Sequence, residues 1–118
     1  MLSFSSATPV FVVHGHVDFR SGLERLCGFC RSELQLDPQS GAVVVFRNRK
    51  SHSIKLIFFD GTGMWLCCKR LSKGKFRYWP ENEDKISVLH ARELLVLLWG
   101  GDPRGARFQK QWKPIVLP

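Results

Sequence analysis

The feature that most constrains the fold is a series of strand-like runs joined by short turns in the middle of the chain. Residues 42–48 are mostly valine, residues 54–59 are aliphatic and aromatic, and residues 64–71 are mixed. Residues 60–63 (DGTG) connect the last two runs, and a Gly-containing connection this short is typical of a hairpin. Since connections of hairpin length join antiparallel strands, this block predicts an antiparallel meander.

The segments on either side of this block add further strands and two helices. Asp18 is a plausible N-cap for the first helix, and Glu93 has a capping-box spacing from His90 in the second. The further predicted elements are strands at residues 10–13, 76–79 and 86–89, a helix from Asp18 to about Gln35, and a helix from His90 to Trp99 that ends at Gly100. The sequence therefore predicts an α+β fold. In it, an antiparallel meander of about five to six strands packs with one helix before it and one after it, in two layers.

A chain of 118 residues holds one domain, which we assign to residues 1–101. Residues 102–118 are basic, contain proline and show no periodicity, so we predict a flexible tail. No apolar run reaches the roughly 18 residues that a membrane span needs, and the first residues lack the charge pattern of a secretory signal. The four cysteines stand in apolar segments, which suggests buried thiols in a reducing cytoplasm. We therefore expect a cytoplasmic protein without a membrane partner.

The net charge of +8 is confined to one part of the chain. Residues 41–80 hold nine lysines and arginines against Asp60 alone, whereas residues 1–40 sum to −1 and residues 81–118 to +1. A basic face beside aromatic residues is typical of nucleic-acid binding, although solvated lysines that protect sheet edges give a similar pattern. The predicted DNA-binding residues are Arg47, Arg49, Lys50, Lys69, Arg70, Lys73, Lys75 and Arg77. In an antiparallel meander, the turns that carry most of them share one end of the sheet.

Catalytic and metal chemistry have little support in the sequence. Cys27 and Cys30 have the spacing of half a zinc site, but a second ligand pair is missing and both cysteines fall on the apolar stripe of the first helix. The aspartates Asp18, Asp37 and Asp60 have local roles as a cap, a turn opener and a hairpin residue, which argues against a two-metal nuclease centre. We expect no catalytic residues, no metal and no cofactor.

Several motifs together resemble the short accessory protein of a bacterial insertion sequence family. They are residues 18–22 (DFRSG), 37–47 (DPQSGAVVVFR), 54–60 (IKLIFFD), 69–80 (KRLSKGKFRYWP) and 93–100 (ELLVLLWG). This is the insertion sequence family numbered sixty-six, whose middle reading frame is often called TnpB. The resemblance implies a non-enzymatic protein needed for transposition, while a separate, larger transposase carries the acidic catalytic centre.

Two functions follow as hypotheses. In the first, the chain binds DNA through a basic surface at the sheet end and is associated with the nucleoid. In the second, it is an adaptor that docks on the larger transposase without touching DNA, through the apolar last helix and Trp112 of the tail. The sequence makes no prediction of the oligomeric state.

Overall fold

Five strands and two helices form in the computed structural model, which describes residue 5 and residues 7–105. In chain order they are β1 (Val10–Val13), α1 (Leu23–Glu33), β2 (Val43–Arg47), β3 (Ser53–Phe59), β4 (Met64–Arg70), β5 (Ile86–Leu89) and α2 (Ala91–Leu98). All five strands belong to one sheet with the order β4-β3-β2-β1-β5. The α+β class and five of the predicted strands are confirmed.

The predicted purely antiparallel meander is wrong, because β1 and β2 are parallel. Val10 pairs with Val43 and Val12 with Val45, whereas β2–β3, β3–β4 and β1–β5 are antiparallel. The reason lies in the connection: α1 carries the chain back along the sheet between β1 and β2, so both strands run in the same direction. The meander prediction holds for β2, β3 and β4, whose connections are short.

The sheet is covered on both faces, so the two-layer prediction is also wrong. On one face, α1 packs Leu26 and Cys30 against Val44 and Phe46 of β2. On the other face, Leu94 and Leu97 of α2 are buried in one cluster with alternate residues of the same strands. A central strand that is buried on both faces needs apolar side chains on both, which explains the unbroken valine run of β2.

Residues 76–79 were predicted as a strand but pair with no strand of the sheet. The chain leaves β4 at one edge and must reach β5 at the other edge, so this segment crosses the face that α2 covers. Phe76 and Trp79 are buried there, and the Trp79 indole Nε1 donates a hydrogen bond to the Val13 carbonyl at 2.8 Å. The aromatic, strand-like composition of the segment therefore reflects burial rather than sheet pairing.

The first helix begins later than predicted, and Asp18 does not cap it. The helix starts after Gly22, while the Asp18 carboxylate accepts hydrogen bonds from the backbone and guanidinium of Arg20. These bonds lower the pKa of Asp18 to about 2. The second helix follows the prediction closely, and the His90 backbone donates to the Glu93 carboxylate at 2.9 Å.

The end of α2 forms as the glycine pair predicts. The backbone N–H of Gly100 donates to the Leu97 carbonyl and that of Gly101 to the Val96 carbonyl, both at 2.9 Å, which is the Schellman pattern. Gly100 has a φ of +85°, a conformation that L side chains rarely adopt. The predicted domain boundary at 101–102 and the tail remain predictions. Residues 102–105 form a turn, and residues 106–118, including Trp112, lie outside the described residues.

The β3–β4 hairpin has a polar anchor in Asp60. Its carboxylate accepts hydrogen bonds from the backbone of Thr62 at 2.8 Å, the indole of Trp65 at 2.7 Å and the backbone of Gly63 at 2.9 Å. These bonds, the one from the Thr62 backbone first, hold the pKa of Asp60 well below its usual range. The prediction that Asp60 is a hairpin residue is confirmed.

This anchor predicts a pH-dependent stability. A depressed carboxyl pKa stabilises the fold above the unfolded-state pKa of about 3.9, and this contribution is lost as the pH falls through the folded-state pKa. Asp60→Asn should therefore lower the melting temperature at neutral pH by a few degrees, and the difference should shrink below about pH 4. Thermal melts of both proteins across this range measure it. A difference that is constant down to strongly acidic pH would contradict the role of the charge.

Candidate nucleic-acid interface

Two basic segments meet at one end of the sheet, as the meander predicts. The turn at residues 48–52 links β2 to β3, and residues 70–75 comprise the last residue of β4 and the segment that follows it. Their backbones are joined, since Leu71 N–H donates to the His52 carbonyl at 2.9 Å and Phe76 N–H to the Ser51 carbonyl at 2.7 Å. We call the cationic side chains at this junction the basic rim: Arg49, Lys50, Arg70, Lys73 and Lys75.

The rim carries positive charge without compensation. All five of its side chains are exposed, and none forms an ion pair or a side-chain hydrogen bond within the part of the chain that the structure describes. Asp60, the one acidic residue of segment 41–80, lies at the opposite end of the β3–β4 hairpin. Five cations on two linked backbone segments raise the local concentration of anions at this surface.

Arg47 was predicted to bind DNA, but the structure uses its side chain internally. Its side chain is only 17% exposed, and its Nη2 donates to the His14 carbonyl at 2.9 Å and to the Glu81 carboxylate at 2.6 Å. The guanidinium also lies over the Trp79 ring, 5.5 Å from its centroid. Arg47 therefore joins the end of β2 to the crossing segment and to the loop after it.

Lys69 and Arg77 also lie apart from the rim. The Lys69 ammonium donates to the Leu98 carbonyl at 2.5 Å and lies 5.4 Å from the centre of the Trp99 ring, so it stabilises the carboxyl end of α2. Arg77 is exposed and lines a different cleft of about 450 Å³ together with Tyr78 and Arg104. Of the eight predicted residues, the structure brings five together and separates three.

A cleft of about 510 Å³ extends the rim toward β1. The parallel pairing of β1 and β2 creates it, because Val17 N–H donates to the Arg47 carbonyl at 3.0 Å and so brings the segment after β1 beside the turn at 48–52. Its lining residues are His16, Val17, Asp18, Phe19, Asn48, Arg49, Lys50 and His52. The sequence interpretation missed His16 and His52 because only the β1–β2 pairing brings them together. Arg49 and Lys50 give the cleft two cations, Asp18 gives it a carboxylate, and Val17 and Phe19 form its apolar side.

Several aromatic residues of the basic block lie in the core, whereas Trp65 is exposed at the other end of β4. Phe58, Phe76 and Trp79 are buried. Tyr78 and Trp79 stand beside Arg77, where a ring could stack on a base. Trp79 is 7% exposed, however, and Tyr78 is half-buried, with the Arg104 guanidinium 4.4 Å from its ring centre. Neither ring is an open stacking surface, which leaves the exposed cations as the groups of the basic rim that can contact a ligand.

The cysteines differ in environment. Cys27 and Cys30 are buried on α1, and burial raises the pKa of both thiols, that of Cys30 to about 11. The prediction of buried thiols is wrong for Cys68, which is exposed on β4, while Cys67 is half-buried. In the described residues, no three or more His, Cys, Asp or Glu side chains are placed to hold a metal ion together.

Two of three comparisons with known proteins find matches. The family model described as "IS66 Orf2 like protein" matches residues 8–108. The uncharacterized protein y4hO of Sinorhizobium fredii (strain NBRC 101917 / NGR234) is 35% identical over 117 residues, which cover 99% of each chain. The uncharacterized protein y4jC of the same strain is 33% identical over 102 residues, 86% of each chain. No solved structure matches. Neither helix in the described part of the chain is long and apolar enough to cross a bilayer.

Proposed function

The chain belongs to the IS66 Orf2-like family, and from that premise we propose that it is a transposition accessory protein that binds DNA through the basic rim. Family membership implies the accessory role in transposition. The observation that supports DNA as the direct partner is the basic rim itself, five exposed cations without ionic partners among the described residues, held together by backbone hydrogen bonds. Binding DNA would place the protein at the bacterial nucleoid.

The chemistry of the rim fits contact with the phosphate backbone rather than with base edges. Lysine and arginine on turns neutralise phosphates and fix the position of a protein on the duplex, but they carry no sequence information. The three aspartates that the sequence raised as candidates for a two-metal centre have local roles: Asp18 binds Arg20, Asp37 accepts a hydrogen bond from the Gln39 backbone, and Asp60 anchors its own hairpin. We therefore propose that the chain has no catalytic centre of its own and that the chemistry of transposition resides on the larger transposase.

A salt titration tests this proposal. Five phosphate contacts predict that the logarithm of the association constant falls with the logarithm of salt concentration at a slope of about −4.5. Fluorescence anisotropy with labelled DNA from the element ends, repeated at several salt concentrations, measures the slope. Absence of binding at about 50 mM salt, or a slope near zero, would refute DNA binding through the rim.

A second candidate is the adaptor function, which the outer face of α2 favours. Leu95 is 60% exposed and Trp99 is 84% exposed, and they lie one helical turn apart. Exposed apolar side chains on one helix face are typical of protein contacts. If the larger transposase docks there, Leu95→Ser with Trp99→Ser should abolish co-purification with it from nuclease-treated extract. Under the DNA-binding proposal, the same variant keeps its salt-dependent DNA affinity.

A further inference from the structure

Strand β4 forms an open edge of the sheet and is unusually apolar for that position. It pairs with β3 on one side, and no strand within residues 7–105 pairs with its outer side. Trp65 is 43% exposed and Leu66 is 37% exposed, while the charges of the strand, Lys69 and Arg70, stand at one end only. A seven-residue edge strand whose first five residues are apolar is a template for another strand, and natural proteins normally interrupt such an edge with charges or bulges along its length.

We propose that β4 pairs with β4 of a second copy of this chain, antiparallel and about a two-fold axis at Cys67. The direction of the backbone groups supports this centre. The bonds from Asp60 N–H to the Gly63 carbonyl and from Leu71 N–H to the His52 carbonyl fix the alternation of the β3–β4 ladder. Accordingly, the N–H and carbonyl groups of Met64, Leu66, Cys68 and Arg70 point outward.

The register centred on Cys67 uses all of these groups and is complementary in charge. It sets Leu66 opposite Cys68 of the second copy, Met64 opposite Arg70, and Trp65 opposite Lys69, so that no two cations face each other. The apolar half of each strand meets the basic half of the other, and the stem of Lys69 packs on the indole while its ammonium stays at the Leu98 carbonyl. Such a self-complementary surface is what a two-fold dimer requires.

The two adjacent cysteines test the register. In the proposed dimer, the two copies of Cys67 form a pair without mutual hydrogen bonds, with Cα atoms about 4.5 Å apart, within reach of a disulfide. The Cα atoms of the two copies of Cys68 are about 8 Å apart, which is too far for a disulfide. Mild oxidation of Cys68→Ser, which keeps Cys67, should give a covalent dimer on a non-reducing gel. Cys67→Ser, which keeps the more exposed Cys68, should give little. The reverse order, which exposure alone predicts, would overturn the register.

A matched pair of variants tests the dimer without oxidation. In the dimer, position 65 of each copy faces Lys69 of the other copy. Trp65→Lys would therefore set a lysine opposite Lys69 at two places, whereas Trp65→Glu would set a carboxylate there. Both lose the stacking of Trp65 on Phe58 and its bond to Asp60. Trp65→Glu also sets a carboxylate beside Asp60 and destabilises the monomer more, so a dimer of this variant cannot be attributed to a more stable monomer. Light scattering of the reduced proteins should show a dimer for the wild type and Trp65→Glu and a monomer for Trp65→Lys. A monomeric wild type at high micromolar concentration would overturn the proposal. Such a monomer is the expected result if the edge of β4 serves another occupant, either residues 106–118 or the larger transposase.

Discussion

Replacing Arg49, Lys50, Lys73 and Lys75 together by Gln should weaken DNA binding at about 0.1 M salt by about three orders of magnitude. Each phosphate contact contributes about 0.9 to the salt slope, so the variant should show a slope near −1 in place of about −4.5. The four side chains are exposed and form no described ion pair, so the thermal stability should change little. Anisotropy titrations at several salt concentrations, with melting curves of the same samples, measure both quantities.

A charge-matched comparison separates the rim from the general basicity of the chain. Lys73→Gln with Lys75→Gln removes two charges from the rim. Arg31→Gln with Arg92→Gln removes two exposed charges at the last turn of α1 and the first turn of α2, away from the rim end of the sheet. Only the variant of the rim pair should bring the salt slope closer to zero, by about 2. Equal losses from both pairs would show that binding follows net charge, and the proposed interface would be wrong.

Arg47→Met should destabilise the fold by about 2 kcal/mol and leave the salt slope unchanged. The methionine keeps an apolar stem in the site but loses the bond to the His14 carbonyl and the stacking of the guanidinium on Trp79. The bond to Glu81 adds less, because that carboxylate side chain is 65% exposed and screened by solvent. Chemical denaturation and salt titration of the same variant give the two numbers.

Arg49→Met is the control for this prediction, because it stands two residues further along the same chain segment. It should change the free energy of unfolding by less than about 0.5 kcal/mol relative to the wild type. It should also bring the salt slope closer to zero by about 1. If Arg47→Met weakened DNA binding at unchanged stability, Arg47 would belong to the interface after all. The pair therefore distinguishes a basic residue that holds the fold from one that is free to meet a ligand.

Local signals in the sequence were sufficient for most elements and for the place of the basic surface. The hairpin at Asp60, the turn at Asp37 and the glycine stop at Gly100 depend on residues close in the chain, and all three are present. The start of α1 could not be read in the same way. Asp18 satisfies the usual requirements of an N-cap, yet its carboxylate binds Arg20 and the helix starts after Gly22.

The elements that sequence reasoning misjudged all depend on partners distant in the chain. Residues 76–79 have strand composition, but the chain must cross from β4 to β5 there, and only the strand order reveals this. His16 and His52 come to one cleft because β1 lies beside β2, and nothing near either histidine in the sequence predicts that contact.

By itself, the sequence determined the five strands of the sheet as candidates, the short turns and the excess of positive charge in residues 41–80, but it could not exclude the sixth candidate at residues 76–79. The tertiary structure decided which of those charges reach solvent at one surface. Arg47 and Arg49 differ by two positions, yet the crossing segment and the loop after it cover Arg47, the last residue of β2, whereas Arg49 lies exposed in the turn that follows. The physical reason is that side-chain exposure depends on what the rest of the chain packs over a position, and strand periodicity carries no record of that.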